Sequence, residues 1–126
     1  MADAPRKRIV IAEDDPAIST MLGKVLSQFY DVTVTSDGPM ALAAARQTPA
    51  PDLLLLDVMM PGMDGHAVAA AVRQLPGLKS VPIIFLTAKT GPAEVIKGIQ
   101  SGARHYIAKP FKIDDLVSRV KRAIGG

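Results

Sequence analysis

The sequence predicts an α/β domain: a doubly wound, five-stranded parallel sheet with helices on both faces. Three observations predict it. Short apolar runs alternate with segments of helical periodicity five times along 126 residues, the run Leu53-Leu54-Leu55-Leu56 has no polar alternation, and four of the five runs end in polar side chains that could share one crevice. An unbroken apolar strand fits burial on both faces, the situation in the middle of a parallel sheet. Strand-then-helix units with connections of this length imply right-handed crossovers.

The first strand reads from Arg8 to Asp14, with Ile9, Val10, Ile11 and Ala12 apolar and Glu13, Asp14 and Asp15 closing it. Asp15 followed by Pro16 is the N-cap and first-position signature of a helix. The pairs Ala17/Ile18, Met21/Leu22 and Val25/Leu26, then Phe29, extend that helix from Pro16 to about Phe29. Capping occupies Asp15, which leaves Glu13 and Asp14 to be explained. Val32 to Thr35 reads as a second strand, Asp37-Gly38 as a turn, and Met40 to Gln47 as an alanine-rich helix stopped before Pro49 and Pro51.

The leucine strand ends abruptly at Asp57 and runs into a loop broken by Pro61, Gly62 and Gly65. Asp64 is placed to cap a helix burying Val68, Ala71, Val72 and Leu75, which Pro76-Gly77 ends. Val81 to Thr87 repeats the pattern of an apolar run with a polar end, followed by the small Ala88. A weaker helix from Pro92 to about Gln100 contains Gly98, which costs about 1 kcal/mol relative to alanine, so it is expected to be the most mobile helix. His105 to Lys109 reads as the fifth strand, ending at Pro110. The last helix starts near Ile113 and buries Leu116, Val117, Val120 and Ile124; Asp114 and Asp115 suit its positive end, and Arg119, Lys121 and Arg122 its negative end.

Length and composition fit one domain, 1–126, with residues 1–7 a flexible polar tail. The chain has no cysteine, which excludes disulfides and thiolate metal sites and fits a reducing cytoplasm. No apolar segment has the length of a signal peptide core or a membrane span. From Lys89 onward eight Lys or Arg face three acids, while the earlier part is mildly acidic. That gradient is read as a solvated helix face. With 4% aromatic residues and no continuous basic run, direct nucleic-acid binding is not expected.

Parallel strands present their carboxyl ends at one edge, so Glu13, Asp14, Asp57, Thr87 and Lys109 should converge there. Each also has a plainer reading: turn formation for Asp57, capping and solvation for Glu13 and Asp14, a strand-end hydroxyl for Thr87, a surface lysine for Lys109. Taken together they make a kit. Three crowded carboxylates raise a shared pKa unless a cation compensates, and an all-oxygen site suits a hard ion such as Mg²⁺. A metal beside a carboxylate, with an ammonium and a hydroxyl aimed at the same spot, suits an aspartate nucleophile attacking phosphorus.

Four blocks carry a resemblance. Ile9-Val10-Ile11-Ala12-Glu13-Asp14-Asp15-Pro16, Leu54 to Gly65, Ile84-Phe85-Leu86-Thr87-Ala88 and Gly102 to Phe111 resemble, in order, the motifs of the receiver domain of two-component response regulators, over Ile9 to Ile124. The resemblance implies the flavodoxin-like (βα)5 fold with strand order 2-1-3-4-5. It implies that Asp57 accepts a phosphoryl group from the phosphohistidine of a sensor histidine kinase or phosphotransfer protein. Glu13, Asp14, Asp57 and the backbone carbonyl of Met59 would hold Mg²⁺, for which Mn²⁺ could substitute. Thr87 and Lys109 would bind phosphoryl oxygens, Ala88 and Pro110 match motif positions, the Lys109-Pro110 bond would be cis, and Tyr106 would turn inward as the Thr87 hydroxyl moves. A downstream effector would read the surface of the fourth helix at Pro92, the fifth strand and the fifth, last helix. The domain would act on no external substrate while catalysing its own phosphorylation and dephosphorylation.

Met59 and Lys89, two positions after Asp57 and Thr87, are placed to influence a hydrolytic water, with Met59 hindering it. His66, read as an exposed helix start, and His105, read as a strand start, receive no catalytic role. Two other functions fit these residues less well. A phosphatase of the haloacid dehalogenase type needs a second Asp two residues after the nucleophile, where this chain has Met59. A flavodoxin-like nucleotide or flavin binder needs a glycine-rich phosphate cradle, which the loops after Asp14 and Asp57 lack.

Overall fold

The structure, a computed structural model, describes residues 6–87 and 105–125. The helix expected over 92–100, with Ala88, Lys89 and Gly98, and residues 1–5 of the expected tail lie outside the described residues. The described elements are β1 (Arg8–Ala12), α1 (Pro16–Leu26), β2 (Asp31–Thr35), α2 (Gly38–Ala45), β3 (Leu53–Asp57), α3 (Gly65–Val72), β4 (Ile83–Thr87), β5 (His105–Ala108) and α4 (Ile113–Ile124). All strand pairs are parallel, in the order β2-β1-β3-β4-β5 expected from the sequence.

The leucine strand lies at the centre and is fully buried. Its side chains alternate between two cores. Leu54 and Leu56 join Val10, Ile83 and Phe85 beneath α2 and α3. Leu53 and Leu55 join Ile9, Ile11, Ile84 and Leu86 beneath α1 and α4. Each buried leucine contributes roughly 1.5–3 kcal/mol of transfer free energy, so the strand that ends in Asp57 is firmly seated between the equally buried β1 and β4.

Several boundaries differ from the sequence reading. Glu13 and Asp14 lie beyond β1, β4 begins at Ile83, and β5 ends at Ala108. Helix α1 stops at Leu26 because the chain must turn back for Asp31 N–H to donate to Lys7 O at 2.9 Å; Phe29 is left 43% exposed, with Lys121 Nζ 4.0 Å from its ring centroid. Asp37-Gly38 is the start of α2 rather than a separate turn, with Asp37 Oδ1 accepting from Met40 N at 2.8 Å. In α3 the buried stripe is Gly65, Val68, Ala69 and Val72, so Ala69 takes the place expected for Ala71. In α4 it is Leu116, Val120 and Ala123, with Val117 and Ile124 half-buried at its margin. Both stripes follow the i, i+3 or i+4, i+7 rule counted from the actual cap.

At the amino-terminal edge of the sheet Arg8 is nearly buried, a feature that the strand reading did not anticipate. Its guanidinium donates to Pro49 O at 2.8 Å and to Ala44 O at 3.0 Å, and its backbone N–H donates to Asp52 Oδ2 at 2.7 Å. Arg8 thus caps the end of α2 and holds the turn into β3. No helix among the described residues is long and apolar enough to cross a membrane.

Candidate functional site

Sheet register assembles the site. Ala12 pairs with Leu56, so Glu13 emerges beside Asp57; Asp57 pairs with Leu86, and Thr87 pairs with Ala108, which puts Thr87 and Lys109 one step further along. The ladder continues past the strand ends through Val58 N–H to Leu86 O at 2.9 Å and Lys109 N–H to Thr87 O at 2.9 Å. The expected convergence is therefore a consequence of backbone pairing.

Carboxylate oxygens of Glu13, Asp14 and Asp57 lie within 4.8 Å of one another. Glu13 and Asp57 are buried, at 1% and 3% exposure, while Asp14 is exposed. Lys109 Nζ sits 2.7 Å from Glu13 Oε1 and 3.3 Å from Asp57 Oδ2. Asp57 Oδ1 accepts from the Met59 N–H at 3.2 Å, and Glu13 Oε2 accepts from the Asp15 N–H at 3.1 Å. These groups line an open cleft of about 380 Å³, with Glu13, Asp14, Asp15, Asp57, Met59 and Lys109 in its walls. Asp15 also accepts from the N–H groups of Ala17 and Ile18, the capping role expected of it.

The electrostatics follow from this crowding. Burial first, and then the Glu13 carboxylate through direct contact and charge, push the Asp57 carboxyl up to about 7; the Lys109 ammonium and the Met59 N–H pull it back only in part. Burial by itself would lower the Lys109 pKa, but Glu13 and Asp57 outweigh it and hold the ammonium above its ordinary value. Lys109 is therefore charged at neutral pH. The cleft combines excess negative charge, buried oxygen donors and solvent access on the Asp14 side. That chemistry fits a hard divalent cation that keeps part of its water shell.

Thr87 is completely buried at the end of β4. Tyr106 is half-buried, its ring centroid 5.2 Å from that of Phe85, and its carbonyl accepts from Arg119 Nη1 at 3.1 Å. The Lys109-Pro110 bond is cis, and so is Thr48-Pro49. Ala88 lies outside the described residues, and of His105 only the backbone is described.

Two residues near the site had been read too plainly. His66 is half-buried rather than exposed, with its ring centroid 4.5 Å from Phe85 in edge contact and 6.3 Å from Tyr106. Gly65, read only as a loop former, is buried, and its N–H donates to Val58 O at 3.1 Å. A Cβ there would meet Asp57 O at 2.5 Å, so the start of α3 rests directly on the backbone of Asp57. No local sequence signal marks this glycine apart from an ordinary turn former, because its approach to Asp57 O is made only by the fold.

Known proteins agree with this geometry. The family model of the response regulator receiver domain matches residues 9–121. The DNA-binding response regulator MtrA of Mycolicibacterium smegmatis is 46% identical over 120 residues, covering 94% of this chain and 51% of MtrA; the chain thus spans about half the length of that relative. Among solved structures, the chemotaxis protein CheY4 of Vibrio cholerae superposes with a TM-score of 0.89 at 31% identity, covering 94% of this chain and 98% of CheY4. The receiver domain of the sensor histidine kinase PA1611 of Pseudomonas aeruginosa, with a magnesium ion coordinated in its active-site cleft, has a TM-score of 0.84 at 33% identity, covering 98% and 100%. A family match over residues 9–121, together with solved structures that superpose over nearly the whole chain, leads to one conclusion: the chain belongs to the response regulator receiver domains.

Proposed function

We propose that Asp57 is the phosphoacceptor of a signalling switch. The observation that carries this is the cluster of Glu13, Asp14 and Asp57 oxygens within 4.8 Å, with the Lys109 ammonium 3.3 Å from Asp57. An Asp57 carboxylate oxygen attacks the phosphorus of a phosphohistidine on a sensor kinase or phosphotransfer protein. The P–N bond breaks, its electron pair returns to the imidazole, and an acyl phosphate forms on Asp57. Glu13, Asp14, Asp57 and the Met59 carbonyl hold Mg²⁺, which when bound supplies neutralisation of the carboxylates and phosphoryl oxygens. Lys109, released from part of its pairing with Glu13 and Asp57, contacts a phosphoryl oxygen, and the Thr87 hydroxyl donates to another.

The acyl phosphate carries about −1.5 to −2 charges where the Asp57 carboxylate carried at most one, in a cleft where acids already crowd. Thr87 and Tyr106 convey that change to the surface of β5 and α4, where an effector reads it as a population shift. The domain acts in the cytoplasm on no external substrate, forming and hydrolysing its own acyl phosphate. Incubation with Mg²⁺ and acetyl phosphate should add one acid-labile phosphoryl group by mass, and Asp57→Ala should add none. Wild type that gains no phosphate, or a variant that does, refutes the assignment.

A further inference from the structure

We infer that His66 is a positioning residue for Tyr106, linking it to Asp57 by a second route beside the one through Thr87; the inference rests on the switch role proposed for Tyr106. The route is contiguous. Gly65 lies so close to Asp57 O that a Cβ would stand 2.5 Å away, and its N–H is bonded to Val58 O at 3.1 Å. The start of α3 thus follows any shift of the Asp57 backbone. The next residue, His66, lays its ring against Phe85 at 4.5 Å and beside Tyr106 at 6.3 Å, and Phe85 and Tyr106 are themselves 5.2 Å apart. These separations fall in the range where aromatic rings attract one another in edge and tilted geometries.

The three rings come from three elements, α3, β4 and β5, and meet on the side of the sheet whose core lies under α2 and α3. Phe85 is completely buried and cannot yield. Tyr106 is half-buried, so its ring has room to change position, and His66 is the half-buried neighbour that borders it. A displacement of the α3 start changes the ring contact that favours the packed position of Tyr106. His66 is not among the residues that line the cleft, so its effect falls on the read-out rather than on phosphoryl transfer.

The chain has two tyrosines, Tyr106 on this side and Tyr30 in the opposite core, which gives an internal control. With 3-fluorotyrosine incorporated, ¹⁹F NMR of the metal-free protein should show that His66→Ala moves or broadens the Tyr106 resonance and leaves Tyr30 in place. His66→Phe, which keeps a ring, should return Tyr106 toward its wild-type position. Losing one such contact corresponds to a change of about two- to tenfold in the population of the packed ring, and binding of an effector to the phosphorylated domain should fall by the same factor while labelling by acetyl phosphate stays constant. An unmoved Tyr106 resonance, a joint shift of both tyrosines, failure of His66→Phe to restore the signal, or lost labelling each overturns the inference. A wild-type Tyr106 resonance that ignores Mg²⁺ and beryllofluoride overturns instead the switch reading beneath it.

Discussion

Replacing Asp57 by asparagine should stabilise the metal-free domain at alkaline pH and remove a defined part of its pH dependence. In the folded chain the Asp57 carboxyl is pushed from 3.8 up to about 7 by burial and by Glu13. The native state therefore binds more protons than the unfolded chain between those values. The stability associated with the protonated form is complete below about 3.8 and is lost as pH rises through about 7. A shift of three units at about 1.4 kcal/mol each sets a ceiling near 4 kcal/mol; water in the open cleft screens the pair, so a loss of about 1–2 kcal/mol between pH 5 and pH 8 is expected. Asp57→Asn has no charge to bury. It should exceed wild type by about 1–2 kcal/mol at pH 8 in chelator, about 3–10 °C in Tm for a domain of this size, and match it more closely at pH 5. Mg²⁺ should raise the wild-type Tm at pH 8 and act much less on the variant. Urea and thermal melts at both pH values, with and without Mg²⁺, measure these quantities. A difference between wild type and variant that is the same at pH 5 and pH 8, or a variant less stable at pH 8, would refute the electrostatic account of the cleft.

Three further outcomes are expected. Gly65→Ala drives a methyl against Asp57 O and should cost about 1–3 kcal/mol in urea melts while slowing acetyl phosphate labelling of Asp57; unchanged labelling would show that α3 does not position the acceptor. Arg8→Met removes the guanidinium from the Pro49 carbonyl and from the Ala44 carbonyl, which keeps the Gln47 N–H at 3.2 Å, and should cost about 2–4 kcal/mol in melts, yet keep labelling intact, because Arg8 lies at the other edge of the sheet. Met59→Asn puts a polar group in the cleft wall at a side chain that is 55% exposed and should speed loss of the phosphoryl group several-fold by mass; an unchanged rate would free Met59 of that role.

Strand identity was legible because burial on both faces writes itself as continuous apolar runs, and polar strand ends then gave Glu13, Asp14, Asp57, Thr87 and Lys109. Parallel pairing made their convergence a deduction. Less legible were residues whose significance depends on tertiary approach. Nothing local separates Gly65 as a turn glycine from Gly65 pressed on Asp57 O, and a histidine at the second position of a helix reads as solvated until Phe85 is brought against it. Arg8 gave no signal for the same reason: a cation at the start of a strand is usually exposed, and only tertiary approach of the Pro49 and Ala44 carbonyls buries it. Helix ends shifted by two or three residues where a cap, such as Asp37 on Met40 N, began the helix earlier than the apolar pattern did.

The alternation of Leu53, Leu55 and Leu54, Leu56 between two cores has a mechanical consequence. A strand gripped from both sides behaves as a fixed abutment, since movement toward either core compresses the other. New charge on the proposed acceptor Asp57 therefore finds no relief in retreat of the leucine run, and its effect falls on the open end of the strand, where the Asp57 backbone meets Gly65 and its carboxylate meets Lys109.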